Sequence, residues 1–254
     1  MKKIFINILF FPLFIFSSPV GNLSYPAIIE EGFIIPDTQW VNFRLGYQVY
    51  DADDLVMQFN DLAKENDFHL RKVKGYANTG IFTLNIKERL DLYTEIGSYR
   101  LETEFRRLSN LYVAKSENDI IYRGGVKLIF FEVLDFTLGA DINYSVFWAA
   151  SSFLTRNDRP IKDDLKFSLK EWQIAVGLAQ KISILRPYIG VAYRDTQIDM
   201  KQTSLILSDL HLIYEKKAGV FLGTSASLGT FVLVNAEIRL VNERATTFSV
   251  ELRF

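Results

Sequence analysis

The feature that most constrains this chain is the alternation in its last eleven residues, RATTFSVELRF. Phe248, Val250, Leu252 and Phe254 occupy every second position, and polar side chains lie between them. Because successive side chains of a β-strand point to opposite faces, the segment predicts a strand with one apolar and one polar face. An edge strand of a soluble β-sandwich would show the same alternation, so the rest of the sequence has to distinguish the two folds.

The amino-terminal end has the pattern of an export signal. Met1–Lys3 carries two lysines, and an apolar run over Ile4–Phe16 follows, interrupted by Asn7 and Pro12. A membrane-spanning helix needs about 20 apolar residues, whereas the apolar part of a secretory signal needs about 7–15. The sequence therefore predicts a signal peptide over residues 1–18 that is removed, a periplasmic N-terminal segment over 19–39, and one β-domain over 40–254.

Composition excludes several classes of protein. The chain has 29 basic and 30 acidic residues in no long block, which argues against a nucleic-acid partner. It has no cysteine, so export does not imply a disulfide framework. Beyond the predicted signal no apolar run approaches the length of a spanning helix, so any residence in a membrane must come from alternating strands. The aromatic content of 14% suits the aromatic girdles of a barrel.

Short and long connections alternate along the chain. Tight turns are predicted near residues 89, 134, 185 and 229, and polar loops are predicted over 51–75, 107–119, 151–167 and 195–211. The count comes to about ten strands. In outer-membrane barrels the periplasmic turns are short and the extracellular loops are long, and an even number of strands puts both termini on the periplasmic side. The sequence thus predicts an all-β fold, an antiparallel up-and-down transmembrane β-barrel, with apolar side chains toward lipid and polar side chains inside.

Two stretches resemble known outer-membrane proteins. The final strand resembles the C-terminal strand of bacterial outer-membrane barrels, in which alternating apolar residues and a terminal aromatic are read by the assembly machinery. The resemblance implies that Phe248, Val250, Leu252 and Phe254 form an assembly signal.

Residues 19–35 resemble the mature N-terminus of the chlamydial major outer membrane protein family. The matching residues are Pro19, Val20, Gly21, Asn22, Pro26, Glu31, Gly32 and Phe33. The resemblance implies a barrel in the outer membrane of a Gram-negative, chlamydia-type bacterium. Those porins are longer and rich in cysteine, so it does not imply a wide general porin here.

The polar faces of the predicted strands carry both signs of charge. The candidate lumen-lining residues are Arg44, Lys87, Glu95, Arg123, Lys127, Asp141, Glu171, Lys181, Arg194, Glu237, Arg239, Glu251 and Arg253. They could line a narrow conduit for small polar solutes, with Arg and Lys setting a mild anion preference. Alternatively, opposite charges on neighbouring strands pair and plug the interior, and for about ten strands this second interpretation is slightly favoured.

The sequence does not predict an enzymatic role. The pair Asp209 and His211 resembles, in local spacing, the Asp/His pair of the omptin surface proteases, and Asp51, Asp53 and Asp54 are its candidate partners across the rim. Such a spacing occurs readily by chance, and the other histidine, His69, adds no further motif. The sequence has no Gly-x-Ser-x-Gly elbow and no metal-ligand spacing, so no catalytic, cofactor or metal site is predicted.

The predicted function is therefore an integral outer-membrane barrel with a structural or narrow-pore role. Its expected partners are outer-membrane lipid, the barrel assembly machinery and small polar solutes. The alternatives are a surface adhesin or antigen acting through the four predicted loops and, less favoured, an omptin-like protease.

Overall fold

The computed structural model describes residues 19–27, 40–60, 68–161, 165–202, 209–229 and 231–254. The predicted signal peptide, residues 1–18, lies outside them. The described chain is almost entirely β-structure, with one short 3₁₀ turn at Tyr25–Ala27. Within those ranges no helix is long and apolar enough to cross a membrane.

Fourteen strands are present in the described ranges. They are β1 Val41–Leu55, β2 Met57–Phe59, β3 Phe68–Ile86, β4 Leu90–Arg107, β5 Asn110–Ser116, β6 Asp119–Val133, β7 Phe136–Arg156, β8 Arg159–Pro160, β9 Leu165–Gln180, β10 Leu185–Gln202, β11 Leu210–Tyr214, β12 Ala218–Leu228, β13 Val232–Leu240 and β14 Glu243–Arg253. All of their pairings are antiparallel.

The strands form a closed up-and-down barrel. β2, β6 and β12 continue β1, β5 and β11 after short breaks, and β8 is a minor addition beside β7, so ten strand positions remain around the ring. The first and last strands close it, with β1 paired to β14 from Arg44 opposite Arg253 to Leu55 opposite Glu243. The prediction of an antiparallel barrel of about ten strands, with tight turns after β3, β6, β9 and β12, is confirmed.

Where the predicted long loops fall on described residues they are largely wrong, because strands extend into them. Residues 61–67, 162–164 and 203–208 of those loops lie outside the described residues. β1 runs to Leu55, β7 to Arg156 and β10 to Gln202, and β5 occupies most of the loop predicted over 107–119. In these extensions the inward side chains are apolar and the outward ones polar, for example Ile198 and Met200 inside against Gln197 outside. Their many polar residues made them resemble loops in the sequence.

The barrel changes its strand number along its axis. The turn of the β13–β14 hairpin lies at Val241 and Asn242. Strands such as β7 and β10 extend farther along the barrel axis than this turn does, on the side away from the tight turns. Beyond it the flanking strands meet directly, with β2 paired to β11 from Phe59 opposite Leu212 to Met57 opposite Tyr214. Val56 marks the junction, since its N–H donates to the carbonyl of Asn242 at 3.0 Å.

This junction defines two parts. The ten-stranded part contains the tight turns and includes β13 and β14. The eight-stranded part lies beyond the β13–β14 turn and consists of β1 with β2, β3, β4, β5, β7, β9, β10 and β11.

The outer surface of the ten-stranded part is an apolar belt with aromatic edges. Exposed aromatic side chains edge the belt on the side of the tight turns, at Trp40, Phe43, Phe130, Phe131 and Phe136. Another set edges it near the eight-stranded part, at Tyr47, Tyr122, Tyr144, Trp172 and Tyr193. Aromatic girdles that flank an apolar band are typical of barrels in lipid.

The eight-stranded part has the opposite distribution. Its interior is one continuous apolar cluster that includes Phe105, Phe147 and Leu212, all essentially inaccessible to solvent. Phe105 stacks on Tyr112 with ring centroids 5.3 Å apart, and Phe147 meets Tyr99 edge-on at 4.8 Å. Since eight strands enclose a volume that side chains alone can fill, this part is solid.

Candidate functional site: the plugged interior of the ten-stranded part

The N-terminal segment Pro19–Ala27 lies inside the ten-stranded part. Val20, Leu23 and Tyr25 are each about 2% exposed or less. Val20 and Leu23 pack against inward side chains that include Tyr188 and Phe221. Residues 19–27 therefore form a plug within the barrel, which differs from the predicted periplasmic segment. Ten strands enclose more volume than side chains alone readily fill, and this segment occupies the remainder.

Hydrogen bonds tie the plug to the wall. The Val20 N–H donates to Glu237 Oε1 at 3.0 Å, which links residues 217 positions apart. The Asn22 amide donates to the Arg186 carbonyl and to Ser225 Oγ, both at 3.1 Å. Arg186 in turn donates from its guanidinium to the Ala27 carbonyl at 3.1 Å. Buried polar groups are costly unless paired, and these bonds pair both the plug and the wall.

Glycines leave room for the plug. A Cβ at Gly139 would lie 2.7 Å from the Leu23 carbonyl oxygen, closer than real Cβ atoms approach. Gly21 has φ +67°, a left-handed conformation that β-branched residues rarely adopt, and a Cβ there would meet Lys127 Nζ at 3.0 Å. Both the wall and the plug therefore need glycine where they meet.

A first charged cluster surrounds Tyr25. Arg44 pairs with Asp91 and, through Nε, with Glu251 at 3.1 Å. Lys127 lies over the ring of Tyr25, with its Nζ 4.8 Å from the centroid. Nearby, the Tyr93 hydroxyl donates to Asp141 Oδ1 at 2.7 Å. The plug's aromatic ring is thus held between two cations, a contact that strengthens when water is excluded.

A second charged cluster separates the plug from the apolar interior of the eight-stranded part. Arg194, which is fully buried, pairs with Glu243 at 2.6 Å and lies 3.6 Å from Glu171. Arg239 donates to Glu237 at 2.9 Å and to Glu243 at 3.2 Å. The cluster therefore connects the β13–β14 hairpin to β9 and β10 through side chains.

Most of the predicted lumen-lining residues lie inside the barrel. Arg44, Glu95, Arg123, Asp141, Glu171, Arg194, Glu237, Arg239, Glu251 and Arg253 are buried. Lys127 is half-buried beside the plug, while Lys87 and Lys181 are exposed at the tight turns. The cavity that adjoins Pro19 and Arg44 has a volume of about 10 Å³, room for roughly one water. Around this cavity, the buried charged side chains pair with one another and contact the plug.

The predicted assembly-signal residues all lie on the outer face of β14 or at its end. Phe248 and Leu252 are 50% and 41% exposed, and Val250 and Phe254 are half-buried.

The two histidines lie on the outer surface of the eight-stranded part. His211 Nδ1 is 2.7 Å from Asp199 Oδ1, and both side chains point away from the interior. Asp53, one of the predicted rim partners, pairs instead with Lys72 at 2.8 Å. Within the described ranges, no group of three or more His, Asp or Glu could hold a metal ion.

Sequence reasoning missed the plug. One available signal was the small inward-facing residues of β9, Ala175, Gly177 and Ala179, which are too small to fill a barrel of this width. A second signal was Asn22, a polar residue in a segment with no strand period. Neither signal says which segment of the chain fills the space.

The comparisons with known proteins concern the fold. No protein-family model and no curated protein matches this chain. Among solved structures, the outer membrane protease OmpT from Escherichia coli matches with a TM-score of 0.46 and 7% identity, over 84% of this chain and 96% of that chain.

Two autotransporter structures are also similar. The translocator domain of NalP from Neisseria meningitidis matches with a TM-score of 0.41 and 10% identity, over 85% of this chain and 87% of that one. The transport unit of AIDA-I from Escherichia coli matches with a TM-score of 0.38 and 12% identity, over 91% and 95%. Matches at this level of identity and TM-score indicate nothing about activity.

Proposed function

We propose that this protein is an integral outer-membrane β-barrel with a closed interior and a structural role, and that it is not an enzyme. The observation that carries the proposal is the filling of the interior by described residues from the plug to the apolar core. A cavity of about 300 Å³ beside Ala27 lies at the end of the barrel, among the tight turns. The plug and its paired charges occupy the ten-stranded part, and an apolar core occupies the eight-stranded part.

The apolar belt supports residence in a membrane. On β7 the belt extends from Phe136 to Tyr144, eight residue steps. At about 3.4 Å per residue and a strand tilt of about 40°, this distance corresponds to a height of roughly 20 Å, near the ~25 Å apolar band of outer-membrane barrels. A soluble barrel would have no reason to expose such a belt, because exposed apolar patches of this extent promote aggregation.

The eight-stranded part supports a surface role as a second candidate. Its outer face carries ion pairs between neighbouring strands, such as Arg71 with Glu104 at 2.9 Å and Lys115 with Glu102 at 3.1 Å. A charged outer face over a solid core would hold its shape in water beyond the belt. We therefore propose that this part presents a rigid polar surface. An adhesin or antigen role would use this surface in place of the four loops predicted from the sequence.

A narrow-pore role and a relationship to the chlamydial family are weaker proposals. A pore would require the plug to leave and the apolar core to open, since the cavity beside Pro19 holds about one water. The family relationship rests on residues 19–35, of which 19–27 form the plug and 28–35 lie outside the described residues.

Two measurements test the proposed function. Membrane fractionation followed by a detergent gel, with and without heating, should show the protein in the outer membrane with a heat-dependent mobility. In planar bilayers the purified protein should give no discrete conductance steps, even at high protein concentration. A known porin refolded in the same detergent provides the positive control. Regular steps would show that the interior opens, and recovery of the protein from the soluble periplasm would disprove membrane residence.

A further inference from the structure

We propose that this protein forms a two-fold dimer, and that the two copies meet through an apolar stripe on the outer surface beyond the apolar belt. The stripe consists of Trp148, Ala150 and Phe153 on β7 together with Ile120 on β6. The inference rests on the proposed membrane residence, because two copies in one membrane share its plane and their orientation across it. It adds a partner for a surface that the proposed structural role leaves uncovered.

The stripe lies outside the belt, where water surrounds the protein in the proposed outer-membrane setting. Trp148 is four residues beyond Tyr144, the aromatic edge of the belt on β7, and this separation corresponds to about 10 Å of height at a strand tilt of about 40°. Trp148, Ile120 and Phe153 are nevertheless 51%, 48% and 45% exposed. Large apolar side chains that are exposed together in water mark interaction surfaces, and aromatic residues are frequent anchors of protein interfaces.

The strand register makes the stripe continuous. Ile121 lies opposite Phe147, and both side chains are buried inside the barrel. Because side chains alternate between the two faces of a strand, their neighbours Ile120 and Trp148 lie side by side on the outer face. Ala150 follows Trp148 on the same face of β7 and is also exposed. The stripe is therefore a single surface that spans two strands.

Opposite charges flank the stripe. On the β6 side, the Glu117 N–H donates to the Ala150 carbonyl at 2.8 Å, and this bond holds the exposed Glu117 and Asp119 beside β7. On the β9 side, Lys166 lies directly opposite Ala150, and Lys170 is exposed on the same outward face. These four side chains form no ion pair with another described residue. Their charges are therefore available to a partner.

Elsewhere, the outer surface beyond the belt pairs its charges between neighbouring segments of the same chain. Lys72 lies 2.8 Å from Asp53, and Lys217 lies 2.7 Å from Asp195. The stripe and its flanks thus differ from the surface around them in two respects. Their centre is apolar, and their charges are separated by sign to the two sides of one strand.

A two-fold axis along the membrane normal makes this arrangement complementary to itself. The rotation places the stripe of one copy against the stripe of the other and exchanges the flanks. The carboxylates of Glu117 and Asp119 then face the ammonium groups of Lys166 and Lys170 on both sides of the axis, as expected of an electrostatically complementary interface. A partner of uniform charge, such as an anionic polysaccharide, would be repelled by one flank. The charge pattern therefore favours a second copy of this chain.

Single cysteines can report the contact, because the chain has none of its own. Ala150→Cys places a thiol between the two flanks, close to the axis. In outer-membrane fragments, a bis-maleimide reagent that spans about 10 Å, or two strand spacings, should link most of this variant into a species of twice the mass. Ala218→Cys is the matched control, because Ala218 is exposed on β12, on another side of the ring, and it should remain a monomer.

Charge reversal then identifies the partner. In the Ala150→Cys background, Lys166→Glu with Lys170→Glu sets carboxylates against carboxylates and should lower the yield of dimer at least about ten-fold. Adding Glu117→Lys and Asp119→Lys restores opposite charges across the axis and should recover most of the yield. Because all four side chains are exposed, each variant should retain the heat-dependent mobility of the folded protein.

If the charge variants fail to assemble, Trp148→Ser tests the apolar contact and should lower the yield in the same assay. Four results would overturn the inference: a monomeric Ala150→Cys protein, equal yields at positions 150 and 218, no recovery on reversing both flanks, or a cross-link to a different protein. Failure of the proposed function would be seen separately, in the fractionation and gel mobility, which do not depend on cross-linking.

Discussion

The two parts of this barrel solve the same packing problem in opposite ways. In the ten-stranded part the outward side chains are apolar, as at Ile142, and the inward ones are polar and paired, as at Asn143 and Asp141. In the eight-stranded part the outward side chains are polar, as at Gln197, and the inward ones are apolar, as at Ile198. Strands such as β9 and β10 run through both parts. At the boundary their outward face changes from apolar to polar, and their inward face changes from polar to apolar.

The difference teaches that the medium outside decides what belongs inside. In the proposed outer-membrane setting lipid surrounds the ten-stranded part, so its apolar side chains gain nothing by turning inward, and its interior can hold ion pairs and a polar plug. Where water surrounds the wall, the hydrophobic effect fills the interior with apolar side chains as in a soluble protein. The strand numbers agree with this difference. Eight strands enclose only enough space for side chains, whereas the wider ten-stranded part also holds residues 19–27.

The largest expected effect comes from a charge inside the eight-stranded part. Leu212→Asp buries an unpaired carboxylate among apolar side chains and should cost about 5 kcal/mol, enough to prevent assembly. Ile213→Asp, its outward neighbour on β11, should cost less than about 1 kcal/mol. Urea titration of refolded protein, followed by gel mobility, measures both. Equal tolerance of the two variants would mean that this part has no packed core.

The next effect concerns the boundary between the parts. Arg194→Met leaves Glu243 and Glu171 buried without their shared cation and should cost about 3–5 kcal/mol. Arg239 remains beside Glu243 in this variant. Adding Glu243→Gln should recover part of the loss, because it removes one carboxylate charge and so returns the net charge of the cluster to its wild-type value. The same titration compares the single and double variants, and a double variant less stable than Arg194→Met would contradict the pairing.

A smaller effect should distinguish the outer surfaces. Ile142→Lys places a charge within the belt on β7, six residues from Phe136 and two from Tyr144, and should cost about 1–2 kcal/mol in lipid vesicles, between the values for the midplane and for the interface. Gln197→Lys makes the same charge change on the outward face of β10 in the eight-stranded part and should cost about 0–0.5 kcal/mol. If both variants unfold at the same urea concentration, the belt does not face hydrocarbon.

The smallest effect is expected at the outer His211. His211→Ala removes its contact with Asp199, an exposed pair that contributes at most about 1 kcal/mol. Because this pair lies outside the interior, the variant should process an Arg- and Lys-containing peptide library no differently from wild type. Loss of a peptide-cleaving activity in this variant alone would revive the protease alternative.

Much of the ten-stranded part could be predicted from local pattern. The alternation of Phe248, Val250, Leu252 and Phe254 predicted the last strand, and its apolar side chains do face outward. The tight turns were also placed correctly, because a short connection leaves only a few positions at which the two strands beside it can end. The eight-stranded part was predicted as loops because its outward residues, such as Arg71 and Lys72, are charged, and charge alone does not separate a solvated loop from a solvated strand face.

The sequence predicted which charged residues lie in the interior, but it did not predict which of them pair. The charged residues that the sequence assigned to the lumen are mostly inside, yet their pairing depends on register, which brings Arg194 on β10 to Glu243 at the start of β14. No local pattern relates these two residues, which are 49 positions apart.

By itself the sequence determined the class of fold, the number of strand positions and the polarity of each alternating face, because these depend on the two-residue period of the backbone. Only the tertiary structure decided which face is the inside at each height and what fills the space there. The short β13–β14 hairpin decides the strand number at each height, because β2 pairs with β11 only beyond its turn. The ten-stranded part then encloses a volume that residues 19–27 occupy. Both are properties of the closed ring, and neither is visible along a single strand.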